Sequence, residues 1–258
     1  MKTFFKTPDD FTVNNGVNII PSIYKYTSPG MVFPAATNVQ YDTTGPFDNV
    51  AFTTWVRFTD IDDGKIRFHI GCTSAGVGKS IDLVMSATNW KIQYNNISSW
   101  DGAPDAVNSE KDLRLRGMSF KDAIFYKLTV FIANNQLRVY FNNILCIADD
   151  LYSPAGGWWG ISGMDSATTT YVSDTYLYEE QCLWGNVNVN GVPQAIQGRA
   201  VLFNQDVVEV IEYSTTNADG DYIIFLEDDP INLNKYFLLG FIADQTNIQP
   251  RGVGNITI

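Results

Sequence analysis

The chain is 258 residues long, with 45% apolar and 17% charged residues, enough for a sizeable core and too little charge for wholesale disorder. Its 28 acidic and 17 basic residues give a net charge of −11, which disfavours nucleic-acid binding through phosphates and adhesion to anionic membranes. No apolar run approaches the ~18 residues of a membrane-spanning helix, Phe237–Ala243 being the longest candidate.

The first residues, MKTFFKTPDDFTV, hold an apolar stretch too short for a secretory signal, and acids follow at once. Up to residue 50 the text is rich in Asn, Thr, Pro and Gly, with short β-like pieces at Val17–Ile20 and Ile23–Tyr26. Pro8, Pro21, Pro29, Pro34 and Pro46 exclude a long helix there. Strand signals follow at Val50–Phe58, Lys65–Cys72, Ser80–Ser86 and Trp90–Tyr94, separated by turn-like Asp60–Gly64, Thr73–Gly78 and Ala87–Asn89. Residues 95–124 form a polar excursion with little strand character, in which Ser119–Ala123 predicts a single helical turn. The most regular stretch is Phe125–Ile147, FYKLTVFIANNQLRVYFNNILCI. Its period-two alternation is broken at Asn134-Asn135 and Asn142-Asn143, and it predicts an antiparallel meander with one buried face. GGWWGI at Gly156–Ile161 and the strand-like Thr168–Tyr178 close the first region. No helix of ordinary length is predicted anywhere, so the fold class is all-β.

The pattern changes near Gln181–Gly185. From Asn186 onward, four or five short strands with Gly at their turns predict a second, smaller sandwich, and the boundary is placed at residues 1–183 and 184–258. Cys72, Cys146 and Cys182 cannot all pair within one chain, and none stands in CxxC spacing. They read as buried, reduced thiols of a protein assembled in a reducing cytoplasm.

Two resemblances follow from these motifs. Residues 186–258 resemble the carboxypeptidase regulatory-like (prealbumin-like, Ig-like) β-sandwich, through Val187-Asn188-Val189, Gly191-Val192-Pro193, Ala200-Val201-Leu202 and the turn Asp219-Gly220-Asp221-Tyr222. Residues up to about 180 are similar to the concanavalin-A-like, laminin-G-like antiparallel jelly roll. That likeness rests on the Trp55-Val56-Arg57-Phe58 strand, the meander and the closing Trp158–Glu179 segment. Together the resemblances imply a bacteriophage virion protein (tail fibre, tail tip or head decoration) made in the host cytoplasm. Its implied partners are other virion proteins, copies of itself and a host-surface polysaccharide. A secreted bacterial carbohydrate-binding module and a glycan hydrolase of the same fold are the alternatives.

Chemistry is sparse. Retaining glycan hydrolysis needs two carboxyls about 5–5.5 Å apart, which a strand supplies at i and i+2. Glu179-Glu180 and Asp149-Asp150 are adjacent and would face opposite ways, so no catalytic residue is assigned and the protein reads as non-enzymatic. Thr73–Ser80 carries Gly-Lys-Ser, but lacks the first glycine of a phosphate-binding loop and leads into a strand. It predicts a hairpin turn. His69, the only histidine, excludes a multi-histidine metal site and reads as a strand residue. Thr215–Asp221 fails as a calcium loop because Leu226 stands where a bidentate Glu is needed. The loop carboxylates Asp60, Asp62, Asp63, Asp149, Asp150 and Asp165 could still hold a structural Ca²⁺. The better lead is aromatic. Trp90, Tyr94, Trp100, Trp158 and Trp159, with Asp101, lie at predicted loops and strand ends, where flat rings and an acid suit a sugar's C–H faces and hydroxyls. Adjacent strand residues face opposite ways, so at most one of Trp158 and Trp159 is expected in the core.

Overall fold

The computed structural model describes residues 2–45, 50–114, 120–133, 135–142, 144–164 and 168–179, and the backbones of eight strands between residues 182 and 252. The chain forms two compact units. One comprises residues 3–142 and 146–177, the other residues 1–2, 143–145 and 178–258.

The first unit is built on fifteen strands: β1 (Lys2–Phe5), β2 (Val13–Asn15), β3 (Asn18–Tyr24), β4 (Pro29–Phe33), β5 (Asn38–Asp42), β6 (Val50–Phe58), β7 (Lys65–Cys72), β8 (Gly78–Met85), β9 (Trp90–Ile97), β10 (Ala106–Asp112), β11 (Phe125–Ala133), β12 (Gln136–Phe141), β13 (Ile144–Asp149), β14 (Trp158–Gly163) and β15 (Thr170–Glu179). One sheet runs β13-β12-β11-β6-β15-β4-β3, with β1 also paired to β15. The other runs β10-β9-β8-β7-β14-β5-β2. The chain crosses repeatedly between them, which is the all-β jelly-roll sandwich that the alternation predicts. Among the described residues no helix is long and apolar enough to cross a membrane.

Side-chain parity explains the core. Phe52, Val56 and Phe58 of β6, Leu128, Val130 and Ile132 of β11 and Leu137, Val139 and Phe141 of β12 point inward from the first sheet. Ile66, Phe68 and Ile70 of β7, Ile81, Leu83 and Met85 of β8 and Ile92 of β9 point inward from the second, all in one cluster. The predicted meander is β11-β12-β13. The Ala133↔Gln136 register leaves a two-residue connection, and Asn135 (φ 60°) and Asn142 (φ 49°) adopt the left-handed backbone that asparagine tolerates.

Three local features depart from or sharpen the reading. The polar excursion contains the strand β10, whose residues are largely exposed. As the edge of its sheet it lacks the alternation that marks a half-buried strand. Asp122 and Ala123 make a turn, with Ala123 at φ 57°, instead of a helical turn, and Ser119 lies outside the described residues. Thr73–Val77 is the expected hairpin turn: the Thr73 amide donates to the Val77 carbonyl (2.9 Å) and the Gly76 amide to the Thr73 carbonyl (2.9 Å).

In the second unit, β16 (Cys182–Asn186) precedes β17 (Asn188–Val189), β18 (Val192–Pro193), β19 (Gly198–Asn204), β20 (Glu209–Thr215), β21 (Asp221–Phe225), β22 (Tyr236–Ala243) and β23 (Ile248–Gly252). They pair as β16-β21, β17-β18 and a four-stranded β20-β19-β22-β23 sheet, antiparallel throughout. Position 184 falls inside β16. The turn at residues 216–220 lies outside the described residues.

Candidate functional site

The alternation that buries Ile66, Phe68 and Ile70 turns Lys65, Arg67 and His69 to the outer face of the second sheet. Register sets them in two cross-strand rows. Ser162, Arg67, Asp82 and Gln93 form one, and Gly160, His69, Ser80 and Asn95 the other, across β14, β7, β8 and β9. Most of this polar face is nevertheless out of solvent, because residues 98–105 cross it as a strap.

Four bonds fasten residues 100–102 of the strap. Trp100 Nε1 donates to the Ser74 carbonyl (3.1 Å), Ser162 Oγ to the Trp100 carbonyl (3.3 Å), Asn38 Nδ2 to Asp101 Oδ1 (3.0 Å) and Arg67 Nη1 to the Gly102 carbonyl (2.6 Å). Two glycines make room for it. A Cβ on Gly76, whose φ is +85°, would lie 2.4 Å from the Trp100 amide nitrogen, and one on Gly160 would lie 2.9 Å from the Trp100 ring.

Beneath the strap, Arg67 and Asp82 form a buried bidentate pair at 2.8 and 2.7 Å, and Ser80 Oγ donates to the same carboxylate at 2.9 Å. A planar fork on a carboxylate is the geometry in which a buried pair best offsets its desolvation. The His69 ring packs on Trp100 with centroids 4.5 Å apart, and its Nε2 is bonded to Ser162 Oγ. Since Ser162 gives its proton to the Trp100 carbonyl, the bond assigns the imidazole proton to Nε2. Burial, with the Arg67 charge second, pushes the His69 pKa well below its ordinary value, so the ring is neutral. His69 Nδ1 and both side-chain polar atoms of Asn95 are buried without a hydrogen-bond partner.

Where strap and sheet part, an open groove of about 540 Å³ remains. Trp100, Asp101 and Pro104 line it from the strap, Lys65 and Arg67 from β7, Val84 from β8, and Ser162 and Met164 from the end of β14. Apolar surface thus alternates with two cations, one carboxylate and a hydroxyl.

The structure scatters the aromatic residues singled out in the sequence. Trp100 and Asp101 do meet in the groove, but Trp100 is 7% exposed and serves chiefly as the strap's anchor. Trp158 is half-buried against Cys72, Ile97 and Trp100. Trp159 is fully buried, its ring 5.0–5.4 Å from those of Phe5, Phe11 and Phe52, so one of the pair is core as parity requires. Trp90 and Tyr94 share the inward parity of Ile92. Trp90 lies under the Arg114 guanidinium at 4.3 Å. Tyr94 donates to Asp149 Oδ2 at 2.9 Å, and burial, then that carboxylate, drive its phenol pKa far up. Trp159, Tyr94 and Trp90 therefore offer no open ring face to a ligand in the groove. Sequence reasoning missed Lys65, Arg67 and Ser162. Their signal was present as polar residues at i, i+2 opposite an unbroken apolar face.

Asp60, Asp63, Asp149 and Asp150 spend carboxylate oxygens locally. Asp60 accepts the Asp62 amide (2.8 Å), Asp149 the Leu151 amide (2.9 Å), Asp63 pairs with Lys65 (3.9 Å) and Asp150 with Arg138 (2.6 Å). Asp165 lies outside the described residues. Among the described residues no three His, Cys, Asp or Glu side chains gather where a metal ion would fit.

No model of a known protein family matches the chain, and no curated protein does. Solved structures do resemble it. A carbohydrate-binding module, CBM66, from Bacillus subtilis aligns with TM-score 0.44 and 9% identity, over 67% of this chain and 92% of its own. Domain 4 of AbnA, an extracellular GH43 arabinanase of Geobacillus stearothermophilus solved with arabinotriose, gives 0.42 and 12%, over 69% and 82%. The Caenorhabditis elegans galectin LEC-6 gives 0.38 and 10%, over 58% and 96%. At these values the likenesses decide neither ligand nor activity.

Proposed function

We propose that the protein is a non-catalytic carbohydrate-binding sandwich whose sugar occupies the Trp100 groove. The observation that carries this reading is the groove's lining. Val84, Pro104, Met164 and the edge of Trp100 suit C–H surface, while Lys65, Arg67, Asp101 and Ser162 present donors and acceptors to hydroxyls. Its volume lies within the ~300–1,000 Å³ of ordinary small-ligand sites. Asp101 is the one carboxylate among the described lining residues, and the nearby Asp82 is committed to Arg67, so the two-carboxyl arrangement of glycan hydrolysis has no support here.

The full chain on a glycan array, followed by calorimetry on a retained oligosaccharide, tests the reading. Lys65→Ala is expected to weaken binding roughly tenfold, the worth of one charge-assisted hydrogen bond. No retained glycan, or binding indifferent to Lys65→Ala, would overturn it, as would release of reducing sugar.

The setting we infer is a bacteriophage particle engaging host-surface polysaccharide, with neighbouring virion proteins and further copies of the chain as partners. Buried Cys72 and Cys146, neither in a disulfide, support assembly in a reducing host cytoplasm. Detection of the chain in purified particles by mass spectrometry checks it, and its absence would leave the secreted carbohydrate-binding module as the better account.

A further inference from the structure

The outer face of the other sheet carries a second feature, remote from the groove's strands. On β6, Trp55 and Arg57 point outward. On β11, Lys127 lies opposite Trp55 and Phe125 opposite Arg57. The Arg57 guanidinium carbon stands 5.9 Å from the Phe125 ring centroid and 5.6 Å from that of Tyr171 on β15. Among the described residues Arg57 makes no ion pair, and its buried Nε finds no acceptor. Acids outnumber bases 28 to 17 in this chain, and Lys65, Arg67, Lys91 and Arg138 each have a carboxylate. Of the four arginines whose side chains are described, Arg67 and Arg138 hold carboxylates and Arg114 the Ser86 and Ala87 carbonyls, whereas Arg57 is set between two rings with neither.

The same face continues along β6. The Lys25 ammonium lies 4.5 Å from the Trp55 ring centroid and 4.9 Å from that of Tyr26, whose ring meets Trp55 edge-on at 5.4 Å. Tyr26 is 60% exposed. Aromatic rings thus hold two cations on one strip of sheet, with an open tyrosine beside them.

We infer that this Arg57–Trp55–Tyr26 strip is a binding site for an acidic glycan, with Arg57 taking the carboxylate of a uronic or sialic acid. The two rings flank the guanidinium and hold it at this end of the strip, and a carboxylate is the partner that matches its fork bidentately. Tyr26 and Trp55 supply the flat apolar surface that a sugar ring covers. The local positive charge complements a carboxylated chain, while the net −11 repels a densely charged polyphosphate. The site is separate from the Trp100 groove and selects a charged ligand, so it stands or falls independently of that reading.

Calorimetry of the full chain with trigalacturonate and with a hyaluronan hexasaccharide tests it, using their methyl esters as neutral counterparts. The acids are expected to bind at low salt and to weaken as salt rises. The esters should bind at least about tenfold more weakly, and Arg57→Gln should reduce acid binding by a similar factor. Lys111→Gln, which removes the same charge from the exposed edge strand β10, should leave it unchanged. Failure of both acids to bind, equal binding of acid and ester, or equal losses in Arg57→Gln and Lys111→Gln would each overturn the inference. A single-stranded oligonucleotide that binds more tightly than either acid, and loses binding in Arg57→Gln, would overturn it in favour of a nucleic-acid face.

Discussion

Asp174 shows what a single residue can fix from across the sequence. It stands in β15 with φ 48°, a left-handed position that aspartate tolerates better than most residues. From there its carboxylate accepts the Tyr26 amide (2.9 Å), the Thr27 amide (3.0 Å), the Thr27 hydroxyl (2.7 Å) and the Ser173 hydroxyl (2.8 Å), while its own amide donates to the Ser28 hydroxyl oxygen (2.7 Å). Burial by itself would raise the pKa of this group, but the hydrogen bonds outweigh it and hold the carboxyl below its usual value. A depressed folded-state pKa contributes stability that is fully present above the unfolded value of about 3.9 and is lost as pH falls through the folded one. Asp174→Asn keeps the shape and tolerates the backbone but removes the charge. It should cost about 2 kcal/mol in urea denaturation at pH 7, and less as pH drops below about 4. A cost that does not shrink with acid would contradict the role given to the charge. None of this was legible in TYVSDTYLY, which reads as a plain strand because its partners lie 146 to 148 residues away.

At the scale of elements, the meander and the strap mark the limits of legibility. The meander β11-β12-β13 follows from Leu128, Val130 and Ile132 set against Leu137, Val139 and Phe141, a local pattern joined by asparagine turns. The strap has no period at all. Its conformation depends on the Ser74 carbonyl, Asn38, Arg67 and Ser162, four partners on four different segments, so nothing within residues 98–105 announces it. For that reason Trp100 and Asp101 could be named as site residues while the burial of Trp100 could not. Gly76 offers a test from outside the strap. Gly76→Ala forces an alanine to φ +85° and drives a methyl into the Trp100 amide, so it should cost about 2–3 kcal/mol. If the strap shapes the groove, the variant should also weaken whatever oligosaccharide the wild type retains. A Tm loss with unchanged affinity would separate strap from groove.

The whole molecule joins these scales through its thiols. Cys72 packs beneath the strap with Ile97 and Trp100, whereas Cys146 belongs to the main inter-sheet core. Burial pushes the Cys72 pKa up to about 12, backbone hydrogen bonding at Lys79 and Ile70 and the Arg67 charge only partly opposing it. At pH 8 its thiolate is then scarce while the protein is closed, and labelling requires an opening that restores ordinary solvation. The opening differs for the two residues. Strap release exposes Cys72 without parting the sheets, but Cys146 needs the sandwich itself to unfold. With a thiol-specific reagent and peptide mapping, wild type should label Cys72 faster than Cys146, both slowly. Gly76→Ala should accelerate Cys72 severalfold beyond Cys146, whereas Asp174→Asn, which ties β15 to residues 26–28 and not to the strap, should bring the two rates closer together. Equal acceleration of both thiols in Gly76→Ala would mean that strap and sandwich open as one cooperative unit.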